Sequence, residues 1–288
     1  MSRRLRAALS AVLLTVACLL VPFGALAAWV AYDVADTGNY VTAMAPLAGD
    51  PAVQNQIADT LGTGILRELG ADPDDAALKP FVHDAVRSFT RTEAFGTAWN
   101  AANRAAHDAV LHSLRDGRHR PVTVDLAPVA AQVRSRLLTQ GVPFARRIPV
   151  RRTEVALLPA RQVDRLRKGY DVLEVAGFWL PVTAVALAGA GIALAAGRRR
   201  ALTATALGTA LGGALLGLAV ALGRHLTLRD LPEDVSEPAA GAVYDALTAT
   251  LRTTSWLLLA LGVTVALTTW LTGRYRHRLP GRRPPAPG

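Results

Sequence analysis

The sequence predicts a mainly α-helical, polytopic membrane protein with four transmembrane helices and one mostly helical extracytoplasmic domain, in which two short runs could pair as a small β ribbon. Three observations predict this class. Charged residues make up 19% of the 288 and hydrophobic residues 51%, whereas a soluble domain is roughly 25% charged and has no long uncharged runs. Four stretches reach the ~20 apolar residues that a helix needs to cross a hydrocarbon core with every backbone polar group paired. Apart from Glu174, the acidic residues fall between Asp33 and Asp171 or between Asp230 and Asp245, so polar and apolar territory separate cleanly along the chain.

The first element is a basic segment, residues 1–6 with Arg3, Arg4 and Arg6, followed by a span over 7–32. Ala25-Leu26-Ala27 resembles a signal cleavage site, but apolar residues continue through Ala28-Trp29-Val30-Ala31-Tyr32. That run makes a full membrane length with aromatic residues at its far end, so the segment reads as retained. Cys18 is followed by another dozen apolar residues and Ser2-Arg3-Arg4 is a fragment of a twin-arginine signal, so neither lipoprotein nor twin-arginine export is expected.

Residues 33–171 form the predicted external domain. Asp50-Pro51 is a cap followed by proline at the first helical position, and Val53, Ile57, Leu61, Ile65 and Leu69 recur at four-residue steps, which predicts a helix over 51–69. Further helices are expected over 74–90, with Phe81, Ala85, Val86 and Phe89 inward, and over 92–114, with Phe95, Trp99, Ala102, Ala106 and Val110 inward. The runs 122–126 and 154–158 are rich in branched residues and flanked by proline, and could pair as the ribbon on either side of a helix over 128–140. From Arg161 a polar helix is expected to run straight into the second span.

The remaining elements are a span over 172–197, a turn at 198–200, a span over 201–223, an acidic loop over 224–250, a span over 251–273 and a tail over 274–288. Three clusters free of acid, namely Arg3, Arg4 and Arg6, then Arg198, Arg199 and Arg200, then Arg274, Arg276, Arg278, Arg282 and Arg283, all fall on one side in this arrangement. By the positive-inside rule that side is cytoplasmic, which puts both termini inside, the protein in the plasma membrane and the 33–171 domain outside. The formal charge of +10 is thereby explained by juxtamembrane clusters that favour anionic headgroups, and nucleic acid is not expected as a partner.

Chemistry is sparse. Cys18 is the only cysteine, so no internal disulfide or cysteine metal site can form. No nucleophile elbow, phosphate loop, paired zinc ligands or dinucleotide fingerprint occurs, and no cofactor, metal or catalytic residue is expected. Glu174 reads as an interfacial charge, favoured by the helix N-terminus. Trp99, Asn103 and His107 share one helix face, with His83 and His112 as potential neighbours, but His107 and His112 are five apart and do not share a face, so a buried polar contact is expected there.

Two sets of residues stand out as candidate contacts. Gly208, Gly212, Gly213 and Gly217 provide small residues at four-residue spacing, the pattern that permits close helix approach, within one bundle or between copies. The external domain is polarised: residues 33–110 hold five basic and eleven acidic side chains, a balance of −6, and residues 111–171 hold thirteen and five, a balance of +8. Arg146, Arg147, Arg151 and Arg152 in the basic half are candidate contacts for anionic headgroups or wall polyanions, weighed against pairing with the domain's own acidic half.

Asp36-Thr37-Gly38-Asn39-Tyr40-Val41-Thr42-Ala43-Met44-Ala45-Pro46-Leu47-Ala48, then Asp50-Pro51-Ala52-Val53-Gln54, resembles the opening of a group of uncharacterised integral membrane proteins of high-GC Gram-positive bacteria. Phe95-x3-Trp99-x2-Ala102-Asn103-Arg104-x2-His107 and Val124-Asp125-Leu126 extend the resemblance. It implies a cell-envelope membrane protein and transfers no activity. The expected function is a non-enzymatic envelope protein, lying in the lipid bilayer, whose external domain binds an envelope protein or wall polymer. A component of a transport or export system is the alternative, and a membrane enzyme built on the His107 region the third.

Overall fold

The computed structural model describes residues 3–68, 72, 78–115, 122–125, 154–158, 160–232 and 235–276. The described α-helices are α1 (Arg3–Trp29), α2 (Thr37–Met44), α3 (Pro51–Glu68), α4 (Leu78–Thr90), α5 (Glu93–Arg115), α6 (Ala160–Leu194), α7 (Arg198–Arg229) and α8 (Glu237–Arg276). Strands β1 (Val122–Asp125) and β2 (Glu154–Leu158) pair antiparallel, with Val124 opposite Val155 and a register shift between Val122 and Thr123. Among the described residues, four helical segments are long and apolar enough to cross a membrane: Arg3–Val34, Val175–Leu194, Arg198–Arg229 and Glu237–Thr272.

The chain divides into two compact units. One comprises Met1–Trp29, Val175–Ala221 and Thr250–Gly288, the other Val30–Glu174 and Leu222–Ala249. In the first, the helices turn small residues toward each other and large ones outward. Along α7 the buried residues are Ala201, Ala206, Ala210, Gly212, Gly213, Leu216 and Val220, while Leu207, Leu211, Leu215 and Leu218 are exposed. Small residues let helix backbones approach where packing rather than water exclusion drives association, and exposed leucine suits a hydrocarbon solvent.

The second unit is built the other way round. Asp50 Oδ1 accepts from Ala52 N at 2.8 Å and Val53 N at 3.2 Å, capping α3, and Thr92 Oγ1 accepts from Phe95 N at the start of α5. These caps start helices whose apolar faces bury together. Met44, Leu47, Val53 and Ala239 form one core, with Trp99, Val243 and Leu247 packed against it, and Ala58, Leu66, Val82 and Val86 form the core between α3 and α4.

Three expectations change here. Phe81 is 74% exposed and Ala85 is also exposed, while Val82, Val86 and Thr90 are buried, so the inward face of α4 lies one residue further along. On α3 the buried line runs Val53, Ala58, Gly62 and Leu66, leaving Leu61 and Ile65 exposed. A helix turns about 100° per residue, so each four-residue step drifts about 40°, and a stripe read at constant steps of four walks off the core. Finally, the segment 224–250 is mostly helical rather than a loop: α7 continues to Arg229 and α8 begins at Glu237, followed by Pro238. Ala239, Ala242, Val243, Ala246 and Leu247 of this segment belong to the Met44 core. The expected helix over 128–140 lies outside the described residues.

Candidate functional site

Of the contacts expected from sequence, the glycines of α7 are the best defined. The four residues form two pairs that face two different helices. A Cβ on Gly208 would strike Cys18 Sγ of α1, and one on Gly212 would lie 3.2 Å from Pro22 Cδ of the same helix. A Cβ on Gly213 would come 2.8 Å from both Leu259 N and Ser255 O of α8, and one on Gly217 3.3 Å from Ser255 Oγ. Because Gly208-x3-Gly212 and Gly213-x3-Gly217 are offset by five residues, they point to opposite flanks of α7 and seat it between α1 and α8.

The reciprocal surface of α8 is built alike. A Cβ on Gly262 would collide with Ala206 O and lie 2.6 Å from Ala210 N, and Thr203 Oγ1 sits 3.0 Å from Thr269 Oγ1 where the two helices run on together. On the other side, Ser10 Oγ of α1 donates to Gly191 O of α6 at 2.7 Å. A hydroxyl bonded to a carbonyl in an otherwise apolar interface satisfies a buried donor that lipid could not.

The Trp99, Asn103 and His107 face of α5 serves to hold α2. Trp99 Nε1 donates to Met44 O at 2.8 Å, at the end of α2. His107 Nε2 lies 2.8 Å from Val34 O and His107 Nδ1 3.1 Å from Thr37 Oγ1, at its beginning. Tyr40 stacks on the His107 ring at 4.2 Å with an interplanar angle of 18°. Thr37 Oγ1 also donates to Asp108 Oδ1 at 2.6 Å, and Asn103 Nδ2 donates within its own helix to Trp99 O at 2.9 Å. Burial pushes the Tyr40 phenol above its ordinary ionisation range.

This junction is continuous with a widened turn. Val30–Val34 forms a π-helical turn closed by Ala35 N donating to Val30 O at 2.8 Å, and Asp36 Oδ1 then caps α2 by accepting from Asn39 N. The widened turn leaves Val34 O available to His107 and Tyr32 O available to Asn39 Nδ2 at 2.8 Å. Asp36, Asn39, Tyr40, Trp99 and His107 thus all work at this one junction.

His83 does not join His107. Its Nδ1 lies 3.0 Å from Asp59 Oδ1 and its ring covers Gly62, where a Cβ would come 2.7 Å from His83 Cδ2. His112 is exposed on α5. Among the described residues no group of three histidine, cysteine or carboxylate side chains could hold a metal ion. Arg146, Arg147, Arg151 and Arg152 lie outside the described residues.

One feature of the second unit was not foreseen. Leu61 and Ile65 stand exposed one turn apart on α3, at 46% and 42%, and Leu78 and Phe81 do the same on α4, at 41% and 74%. The signal lies in the sequence, since both helices carry more apolar residues than one core face can take, although the spacing predicts Phe81 inward together with Ala85, Val86 and Phe89. No family model, curated protein or solved structure matches the chain.

Proposed function

We propose that the chain is a multi-pass plasma-membrane protein whose 33–171 domain faces away from the cytoplasm and binds an envelope protein or wall polymer, without catalysing a reaction. The four membrane-length helices support the anchored part of this reading. The positive-inside rule supports the orientation: Arg3, Arg4 and Arg6, Arg198–Arg200 at the start of α7, where the sequence predicts a turn, and the arginines of the tail take the cytoplasmic side together, so both termini lie there.

The observation that carries the binding reading is the pair of exposed apolar stripes on α3 and α4. A phenylalanine left 74% exposed on a folded helix forgoes the ~1.5–3 kcal/mol that full burial of such a side chain supplies, and a protein partner could recover it. The basic half of the domain, with Arg146, Arg147, Arg151 and Arg152, supplies charge for an anionic polymer or headgroup surface.

The test is photo-crosslinking in intact cells from position 81, with position 91 as an exposed polar comparison on the following turn. A discrete adduct from 81, absent from 91 and lost when Leu61 and Ile65 are changed to serine, is the expected result. Absence of any adduct from 81, together with no salt-sensitive sedimentation of the protein with wall polymer, would remove the reading.

A further inference from the structure

The first unit contains twelve arginines and neither aspartate nor glutamate. It therefore has no counter-charge of its own. Arg198, Arg199 and Arg200 occupy the first turn of α7, where the open backbone N–H groups already place positive potential, so cations there raise the local field rather than relieve it. Side chains so placed call for an anion from outside the unit.

The geometry beside them shows what shape of anion fits. Between α1 and α7, at the end where Arg3 and Arg198–Arg200 lie, there is a groove of about 1020 Å³. Arg3, Arg198, Arg199 and Arg200 line its mouth, and Ala7, Ala11, Leu14, Leu19, Ala204 and Leu211 line its length. Gly208 and Cys18 also line it, and their close approach marks where α1 and α7 come together. A second groove of about 660 Å³ runs between α7 and α8 and is lined by Leu207, Trp270 and Arg274. The two grooves share Arg199, Arg200 and Ala204. Arg274 lies 5.3 Å from the centre of the Trp270 ring, within cation–π range, and both residues line the second groove.

We propose that these grooves form a specific site for an anionic phospholipid, with a phosphate held among Arg3, Arg198, Arg199 and Arg200 and an acyl chain lying along the apolar wall between α1 and α7. A soluble anion would satisfy the arginines but leave the apolar walls unfilled. A zwitterionic lipid would fill the walls but bring a cation to the arginines. Only a molecule with a net-negative phosphate head and a hydrocarbon tail meets both surfaces, and basic pockets between membrane helices are a recurrent setting for such lipids. Because Arg199 and Arg200 serve both grooves, a diphosphate lipid with four chains can engage both at once and should bind more tightly than a monophosphate lipid of matched chains.

The test uses the full chain purified in mild detergent and stripped of lipid, with bound lipid counted by native mass spectrometry during titration. The probes are phosphatidylglycerol, cardiolipin and phosphatidylcholine of matched chains, and inorganic phosphate as competitor. Cardiolipin should bind more tightly than phosphatidylglycerol, and phosphatidylcholine at least tenfold more weakly than either. Changing Arg198, Arg199 and Arg200 together to glutamine should weaken phosphatidylglycerol at least about a hundredfold, each basic residue contributing on the order of tenfold or somewhat less. Arg4, Arg6 and Arg252, which line neither groove, changed together to glutamine should leave the affinity within about threefold. Ala204→Trp, which fills the shared wall without changing charge, should abolish selective retention. Equal retention of phosphatidylcholine and phosphatidylglycerol by the unaltered protein would overturn the proposal whatever the variants do. Complete displacement by millimolar inorganic phosphate would replace the lipid site with a bare anion site, and equal weakening by the two triple variants would replace it with diffuse surface charge.

Discussion

The two units of the chain solve the packing problem with opposite residue types. The unit containing α1 and most of α7 and α8 holds twelve arginines, no acid and an interior dominated by glycine, alanine and serine, with Leu14, Leu216, Val220 and Leu251 among them, and presents most of its leucines outward. The other holds all 22 acidic residues, buries Met44, Leu66 and Phe95, and stitches its elements with side-chain caps and hydrogen bonds. The inversion follows from the solvent each must meet. In water, burying large apolar groups is the dominant gain, whereas in hydrocarbon a leucine gains nothing by turning inward and close backbone contact through small residues is what remains.

The sharpest way to break the comparison is to exchange the rules between units. Leu66→Ala removes a side chain that is 0% exposed between α3 and α4 and should cost about 4 kcal/mol, from lost transfer energy plus the cavity. Leu211→Ala on α7, where the leucine is 61% exposed, should cost under about 0.5 kcal/mol in detergent or bilayer, because hydrocarbon replaces the side chain. Chemical unfolding of the full chain, followed by probes in each unit, measures both. Comparable losses at the two positions would mean that Leu211 packs against protein.

The reverse substitution comes next. Gly213→Leu places a side chain where Leu259 N and Ser255 O lie 2.8 Å from the Cβ position. Backbone cannot rotate out of the way as a side-chain tip can, so a cost of about 3 kcal/mol is expected, the upper part of the overpacking range. Resistance of α7 and α8 to detergent-induced separation, read by a disulfide or spectroscopic pair across them, should fall. Gly96→Leu on α5, where a Cβ meets nothing within 4 Å, should instead be harmless or slightly stabilising through helix propensity.

This contrast also explains what sequence pattern could and could not reveal. Four membrane-length helices were legible because length and the absence of charge are properties of a segment alone. So was the cap at Asp50, which acts within three residues. The spacing of Trp99 and His107 marked a shared face, but their hydrogen-bond partners are the carbonyls of Met44 and Val34, and a backbone acceptor leaves no mark in a sequence. Likewise, the glycine spacing of α7 announced close packing while the division between α1 and α8 depends on which neighbours arrive. The acidic character of 224–250 suggested a loop because the apolar partners that draw Ala239, Val243 and Leu247 into a core lie about 190 residues earlier, at Met44 and Val53.

Smaller changes sharpen the account of the second unit. Trp99→Phe keeps most of the ring's packing but removes the Nε1 donor from Met44 O. It should cost about 1 kcal/mol for the hydrogen bond, whereas Trp99→Ala should cost about 3 kcal/mol because the ring is only half-buried. If the two variants lose the same amount, the ring contributes only through its hydrogen bond and the Met44 core does not need its bulk.

The smallest expected effect tests how dry the junction between α2 and α5 is. Burial holds the Tyr40 phenol neutral to higher pH than an ordinary tyrosine. In the unfolded chain the same phenol loses its proton near pH 10, so as pH rises the unfolded state gains charge first. The stability contributed by keeping Tyr40 neutral is therefore complete below about pH 10 and is lost as the pH climbs toward the folded-state value. Tyr40→Phe retains the ring that stacks on His107 at 4.2 Å and removes the titrating group. Denaturant midpoints of the two proteins should run parallel between pH 7 and 9, and above pH 10 the midpoint of the Tyr40→Phe protein should fall less steeply, the other four tyrosines being common to both. Parallel curves through pH 11 would mean that water reaches the Tyr40 hydroxyl, and that the acid-rich unit seals this junction less completely than its hydrogen bonds to Val34 and Met44 require.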